Sequence, residues 1–319
     1  MKTKVYVAGH SGMVGSAICR QLDKDYSHII TRSHSELDLT NQLEVSNFFK
    51  IEKLDEVYIA AGKVGGIYAN STYPADFIYD NIMIQSNIIN SAFRNGVKKI
   101  LFLGSSSIYP KLSSQPIHEE LLMTGSLESS NEAYSIAKIA GIKMCESYNI
   151  QYGKKLGLSY RSLMPTNLYG VGDSYHLQNS HVIPALIRKV HEAKLNNETL
   201  TVWGSGNARR EFLYVDDLAA ASIFTMKLDN IKYDEAINQN CSHLNAGFGD
   251  DVSIKTLVKA ITAVVGYSGK VIFDDSKPEG VQRKLLDSSK LNDLGWASSV
   301  SLKDGLEVTY RDFIKNIKL

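Results

Sequence analysis

The stretch KVYVAGHSGMVGSAI, residues 4–18, decides the fold. Its opening is apolar enough for a short buried strand. Glycines follow at Gly9, Gly12 and Gly15, and an amphipathic segment read as a helix begins near Met13. In G-x-x-G-x-x-G the first glycine permits a tight turn, the second lets a pyrophosphate approach the backbone, and the third lets the helix pack on the strand. The phosphates then sit at a helix N-terminus, where open N–H groups and the helix dipole favour anions. An ordinary tight turn also uses glycines. The place between the first strand and first helix of a βαβ unit is what makes this a dinucleotide site, with contacts from Gly9, Ser11, Gly12, Met13, Val14 and Gly15.

Outward from this stretch the rhythm continues. Strands are expected at 28–30, 56–61, 100–105 and 157–162, separated by helical patterns at 41–50, 74–95 and 133–151. Nearly apolar strands alternating with helices imply a parallel sheet covered on both faces. The fold class is therefore α/β, a Rossmann-type doubly wound parallel sheet with a smaller C-terminal α/β substrate domain. After residue 162 the rhythm loosens, with helices at 182–194 and 253–265 and strands at 201–203, 243–246 and 270–273. The expected division is a dinucleotide-binding domain over 1–170 and a second domain over 171–319, partly interleaved with the first.

Composition narrows the class. The chain has 319 residues, 22% of them charged, and a net charge of +1, so no global field favours nucleic acid or an acidic membrane. No apolar run approaches the ~20 residues that span a bilayer. Cys19, Cys145 and Cys241 are odd in number with no CxxC pair, which fits a reducing compartment and argues against a disulfide framework or zinc site. A cytoplasmic protein without nucleic-acid, membrane or metal partners is expected.

The second strand is followed by Thr31, Arg32, Ser33 and His34. An NAD site typically places an acid here for the ribose 2′-OH. With Arg32 present and no carboxylate, the stretch favours a 2′-phosphate and NADP(H), although Arg32 can equally be a solvated surface side chain. Asp38 is placed for the adenine edge, or else is a helix N-terminal acid.

AYSIAKIAG, residues 133–141, holds Tyr134 and Lys138 one turn apart on a helical face. An ammonium near a phenol lowers its pKa, so Tyr134 is expected to exchange a proton with a substrate oxygen while Lys138 also reaches the nicotinamide ribose. YxxxK recurs by chance. Here it follows a glycine fingerprint and, in GSSSIYP (104–110), a strand ending in serine, the order a short-chain dehydrogenase requires.

With GHSGMVGS, KVGGIYANSTYPADFIYDN, GSSSIYP, AYSIAKIAGIKMCESYN, MPTNLYG, NSHVIPAL, VWGSG and REFLYVDDLA in that order, the chain resembles the GDP-L-fucose synthase family over essentially its full length. These are extended short-chain dehydrogenase/reductases of nucleotide sugars. The resemblance implies a GDP-linked 4-keto-6-deoxy sugar (hexose or heptose), NADPH as hydride donor, and a homodimer. It makes Ser105, Tyr134 and Lys138 the reductase triad, in which serine orients the keto oxygen, tyrosine protonates it and lysine supports both. It extends the cofactor set to His34, Leu39, Ala61, Gly62, Leu103, Gly104, Pro165, Asn167, Leu168 and His181. Ser11 and His34 stand where the family often carries arginine.

Substrate contacts fall by the same resemblance on Lys63, Ser106, Ser107, Asn167, Lys189, Trp203, Arg210 and Glu279, with Arg283 as a further cation. Trp203 can instead be core. Arg209 and Arg210 are neighbours on an extended segment and face opposite ways, so one of them reaches the ligand. The family also epimerises C3 and C5 with a cysteine and histidine acid–base pair. The histidine matches His181, which can also be a mere helix-start residue. At the cysteine position stands Ser107. A thiol with pKa about 8.5 can be made a base by its surroundings, whereas an alcohol needs a dedicated base beside it.

The expected activity is C4-keto reduction without efficient epimerisation, the alternative being the bifunctional enzyme. A 4,6-dehydratase would carry Asp-Glu at Ser106 and Ser107. A non-catalytic NADP(H) sensor would not need both Tyr134 and Lys138.

Overall fold

Side-chain alternation along each strand builds the core. In β1 (Lys4–Ala8), Tyr6 and Ala8 join the apolar cluster on one face of the sheet, while Val5 and Val7 join the cluster on the other. The computed structural model describes residues 3–25, 28–176, 180–238, 241–277 and 281–316. Within them β1 is followed by β2 (His28–Ile30), β3 (Glu56–Ile59), β4 (Lys99–Leu103), β5 (Ser159–Pro165) and β6 (Asn167–Tyr169). Then come β7 (Leu200–Trp203), β8 (Arg209–Tyr214), β9 (His243–Ala246), β10 (Asp251–Ser253), β11 (Val271–Asp274) and β12 (Arg283–Lys284).

The main sheet is parallel throughout, in the order β2-β1-β3-β4-β5-β9. Its sixth strand comes from well beyond residue 170. One face is covered by α2 (Gln42–Glu52), α4 (Pro74–Arg94) and α5 (Glu132–Tyr148) through Val45, Phe49, Ile88, Ile89 and Ile142. The other is covered by α1 (Met13–Leu22) and the helix Val215–Lys227 through Ala17, Ile18, Leu218 and Ala219. The short α3 (Ile67–Thr72) precedes α4. A third cluster, with Ile187, Phe212, Leu257 and Phe313 at its centre, forms the core of the C-terminal half. There β8 pairs with β10, β12 and β6, and β7 with β11.

Several strand ends differ from the expected ones, and three of the differences have a local reason. β3 stops at Ile59, before the close approach of Ala61 to the Gly9 turn. β4 stops at Leu103, because Ser105 begins a 3₁₀ turn, Ser106–Ile108. β5 starts only at Ser159, because Gly157, at φ +67°, closes the preceding helical turn. No helix among the described residues is long and apolar enough to cross a membrane.

Candidate active site

The glycine turn is packed backbone against backbone. Gly9 holds φ +83°, and a Cβ there would lie 2.7 Å from the Ala61 main chain. A Cβ at Gly15 would lie 2.1 Å from the Gly9 carbonyl oxygen. Any larger residue would push strand and helix apart. Gly12 is the N-cap of α1 and offers no side-chain cap, so the first N–H groups stay open as a cradle for a diphosphate. The strand order reverses at this place, with β2 and β3 on opposite sides of β1, which opens a crevice beyond the strands' carboxyl ends. Ala61 and Gly62 after β3, Leu103 and Gly104 at β4, Pro165 ending β5, and Asn167 and Leu168 in β6 all lie along that edge.

At the end of β2 the structure corrects the sequence reading. Arg32 is half-buried and ion-paired rather than free. Its Nη2 donates to Glu52 Oε1 at 2.5 Å and its Nη1 to the Thr31 carbonyl at 2.7 Å, with the guanidinium 5.4 Å above the Phe48 ring. An acid also stands here after all. The turn at 34–36 folds Glu36 back so that its carboxylate accepts from Ser33 N and Ser33 Oγ, both at 2.7 Å. Inspecting only the four residues after the strand misses a carboxylate returned by a turn. Ser11 and His34 are exposed, and Leu39 packs against the core. Asp38 accepts from Thr40 N at 2.9 Å and Thr40 Oγ1 at 2.8 Å. The cap of α2 is Asn41, not Asp38.

The serine turn and α5 meet beyond β4. Ser105 Oγ accepts from Ser107 N at 3.2 Å and from Ser107 Oγ at 3.1 Å. Tyr134 lies beside Ser105, whose hydroxyl favours the ionised phenol. Next to it, Ser135 Oγ donates to the Ser107 carbonyl at 3.0 Å and fastens helix to turn. Lys138 is 5% exposed, donates to the Leu103 carbonyl at 2.9 Å, and lies 5.9 Å from the Tyr134 ring centroid. Ser106 and Ser107 are buried.

The electrostatics reverse what the YxxxK spacing suggests. Burial pushes Tyr134 up to about 12, against the opposing effect of the Ser105 hydroxyl, and pushes Lys138 down to about 8. Lys138 is turned to a main-chain carbonyl, so desolvation outweighs its effect on the phenol. Tyr134 is consequently protonated at neutral pH, the form a proton donor needs.

The other predicted residues divide. His181 is the N-cap residue of the helix Val182–Asn196 and makes no hydrogen bond with Ser105, Ser107 or Tyr134. The residue is exposed overall, while desolvation on its protein-facing side lowers its pKa. Lys63 is held by Asp80 at 2.9 Å and Asp76 at 3.1 Å, so it is not a free cation over the cleft. Asn167 Nδ2 donates to the Glu211 carbonyl at 2.9 Å. Glu279 lies outside the described residues.

Trp203 is 63% exposed, which excludes a core role, and Lys189 Nζ stands 5.3 Å over its ring. Arg209 is bound to the fully buried Asp251 carboxylate, with Nε at 2.6 Å from Oδ1. Arg283 binds the same carboxylate, so it is not a free cation. Arg210 therefore points elsewhere, as strand alternation requires. The residue that sequence reasoning missed is Lys284, which pairs opposite Arg210 across β12 and β8. Its ammonium has no hydrogen-bond or ion-pair partner among the described residues, and burial, helped by Arg210, lowers its pKa to about 8. Alternation was the available signal: if Arg283 turns inward, its neighbour faces the other way.

Comparison with known proteins places this geometry. The NAD dependent epimerase/dehydratase family matches residues 5–238. GDP-L-fucose synthase of Escherichia coli (strain K12) is 55% identical over 317 residues, covering 99% of this chain and 98% of that one. The chain belongs to the GDP-L-fucose synthase family. Among solved structures similar to this family member, MlghC, a GDP-mannoheptose C4 reductase from Campylobacter jejuni with NADP bound, is 40% identical with a TM-score of 0.88 and 98% coverage of each chain. A GDP-6-OMe-4-keto-L-xylo-heptose reductase from C. jejuni is 37% identical with a TM-score of 0.91 and 99% coverage of each. For a chain of the GDP-L-fucose synthase family, the conspicuous residue is Ser107, where the resemblance puts cysteine.

Proposed function

We propose that this protein is an NADPH-dependent C4-ketoreductase of a GDP-4-keto-6-deoxy sugar, hexose or heptose, that does not efficiently epimerise C3 or C5. It is an NADP(H)-dependent oxidoreductase acting on sugar nucleotides, as its relatives are. The observation that carries the finer reading is the state of Ser107. Its Oγ donates to Ser105 Oγ, and no imidazole or carboxylate among the described residues hydrogen-bonds it. An alcohol without an adjacent base does not remove a proton from carbon at a useful rate.

The glycine turn, the open start of α1 and Lys138 would hold the cofactor, which supplies the hydride when bound. Ser105 and Tyr134 would hold the C4 oxygen between them, and Tyr134 would give it a proton. Lys189, Trp203, Arg210 and Lys284 would hold the nucleotide, the cations on the diphosphate and the indole against an apolar face. This reading includes a division near residue 170, a cytoplasmic site of action consistent with three free cysteines, and a homodimer. α4 and α5 leave Tyr79 and Ile136 exposed as apolar surface for the last of these, and sedimentation would measure it.

A second reading, the bifunctional 3,5-epimerase/4-reductase, is favoured by the retained His181 and by the likeness to the E. coli protein. Turnover in D₂O with NMR of the product separates the two. Reduction alone leaves C3 and C5 protonated once non-enzymatic exchange is subtracted. Enzyme-dependent deuterium at either carbon, at a rate comparable to reduction, would sink the reductase-only reading. Ser107→Cys is expected to add exchange, because only the thiol is missing.

A further inference from the structure

We infer that Glu52 sets the strength of the preference for NADPH over NADH, by competing with the cofactor's 2′-phosphate for Arg32. This rests on the NADPH reading above and on the place of Arg32, just past the end of β2 and beside the strand that carries the glycine turn.

The Glu52 carboxylate bridges two cations. Oε1 takes Arg32 at 2.5 Å and Oε2 takes Lys4 Nζ at 3.1 Å, with the three side chains between 18% and 34% exposed. If the guanidinium swings away, Glu52 keeps Lys4. The exchange therefore breaks a part-exposed ion pair rather than stranding a buried charge, and such pairs are weak. A phosphate dianion offers Arg32 more charge and a bidentate fit. NADH presents only a hydroxyl and leaves the pair undisturbed.

Glu52 thus weakens one cofactor and not the other, by reducing the fraction of protein whose Arg32 is available. The remaining groups around the end of β2 leave Arg32 as the arginine there. Ser11 and His34 occupy two further positions, and Glu36 adds a second exposed anion held on Ser33.

The test is the ratio of kcat/KM for NADPH to that for NADH, taken within each variant so that differences in active fraction cancel. Glu52→Gln is expected to raise the ratio about threefold, the scale of a part-exposed pair. Arg32→Ala is expected to lower it on the order of tenfold, the scale of a lost hydrogen bond to a charged group. The double variant should match Arg32→Ala, since Glu52 acts through the arginine.

An unchanged or lowered ratio in Glu52→Gln, with Arg32→Ala behaving as expected, overturns the role of Glu52 and leaves the Arg32 reading standing. The same rise in both backgrounds also overturns it, because loss of a negative charge alone would then suffice. A ratio untouched by Arg32→Ala shows instead that Arg32 does not read the 2′-phosphate, and the inference falls with that reading.

Discussion

Tyr134→Phe is expected to lower kcat by roughly 10²–10⁴-fold while leaving NADPH affinity nearly unchanged. Burial holds the phenol protonated beside Ser105, two residues past β4, so it is placed to give a proton to a ketone that the serine would orient. The substitution removes one oxygen. It keeps the ring, which lies edge-on to Phe77 at 6.3 Å, so folding and the cofactor crevice should survive. Stopped-flow measurement of NADPH oxidation gives the rate, and fluorescence titration gives the affinity. A variant within a few-fold of wild-type kcat would overturn the proton-donor role.

Loss of nucleotide-sugar affinity is the second large effect. Arg210→Ala and Lys284→Met are each expected to raise the Kd for GDP about 10- to 100-fold, the range of a lost hydrogen bond to a charged group. Lys284 adds a pH signature. Its free pKa lies near 8, and a diphosphate partner would raise it. The wild-type affinity should therefore be complete below pH 8 and decline as pH rises through that value, while Lys284→Met should flatten the alkaline decline. Calorimetry with GDP from pH 6.5 to 9.5 measures both; an unchanged Kd would remove Lys284 from the site.

The cofactor end was legible because its chemistry is local. Gly9, Gly12 and Gly15 act through backbone turns and close approach, and Tyr134 and Lys138 act through helical spacing, so both patterns survive as strings. What escaped depends on partners distant in sequence. Glu52 captures Arg32 from the far end of α2, and two acids on α4 take Lys63. Asp251 takes both Arg209 and Arg283, leaving Arg210 with the unsuspected Lys284. A single cation reads as a ligand until the carboxylate beside it is known. The expected lowering of the Tyr134 pKa by Lys138 failed for a related reason, since burial, which raises it, depends on the packing of the whole sheet.

The sixth strand of the main sheet has a consequence for synthesis and for evolution by recombination. β5 is buried along its length and takes one neighbour from β4 but the other from β9. While the ribosome makes the chain from Pro165 to His243, β5 is left with an open edge, for a time on the order of ten seconds at roughly 5–20 residues per second. A nascent chain in that interval is most exposed to edge-to-edge association. The same strand limits modularity: a C-terminal half borrowed from a relative with another sugar specificity must also bring a strand that fits β5. Point substitutions that leave β9 in place avoid that constraint.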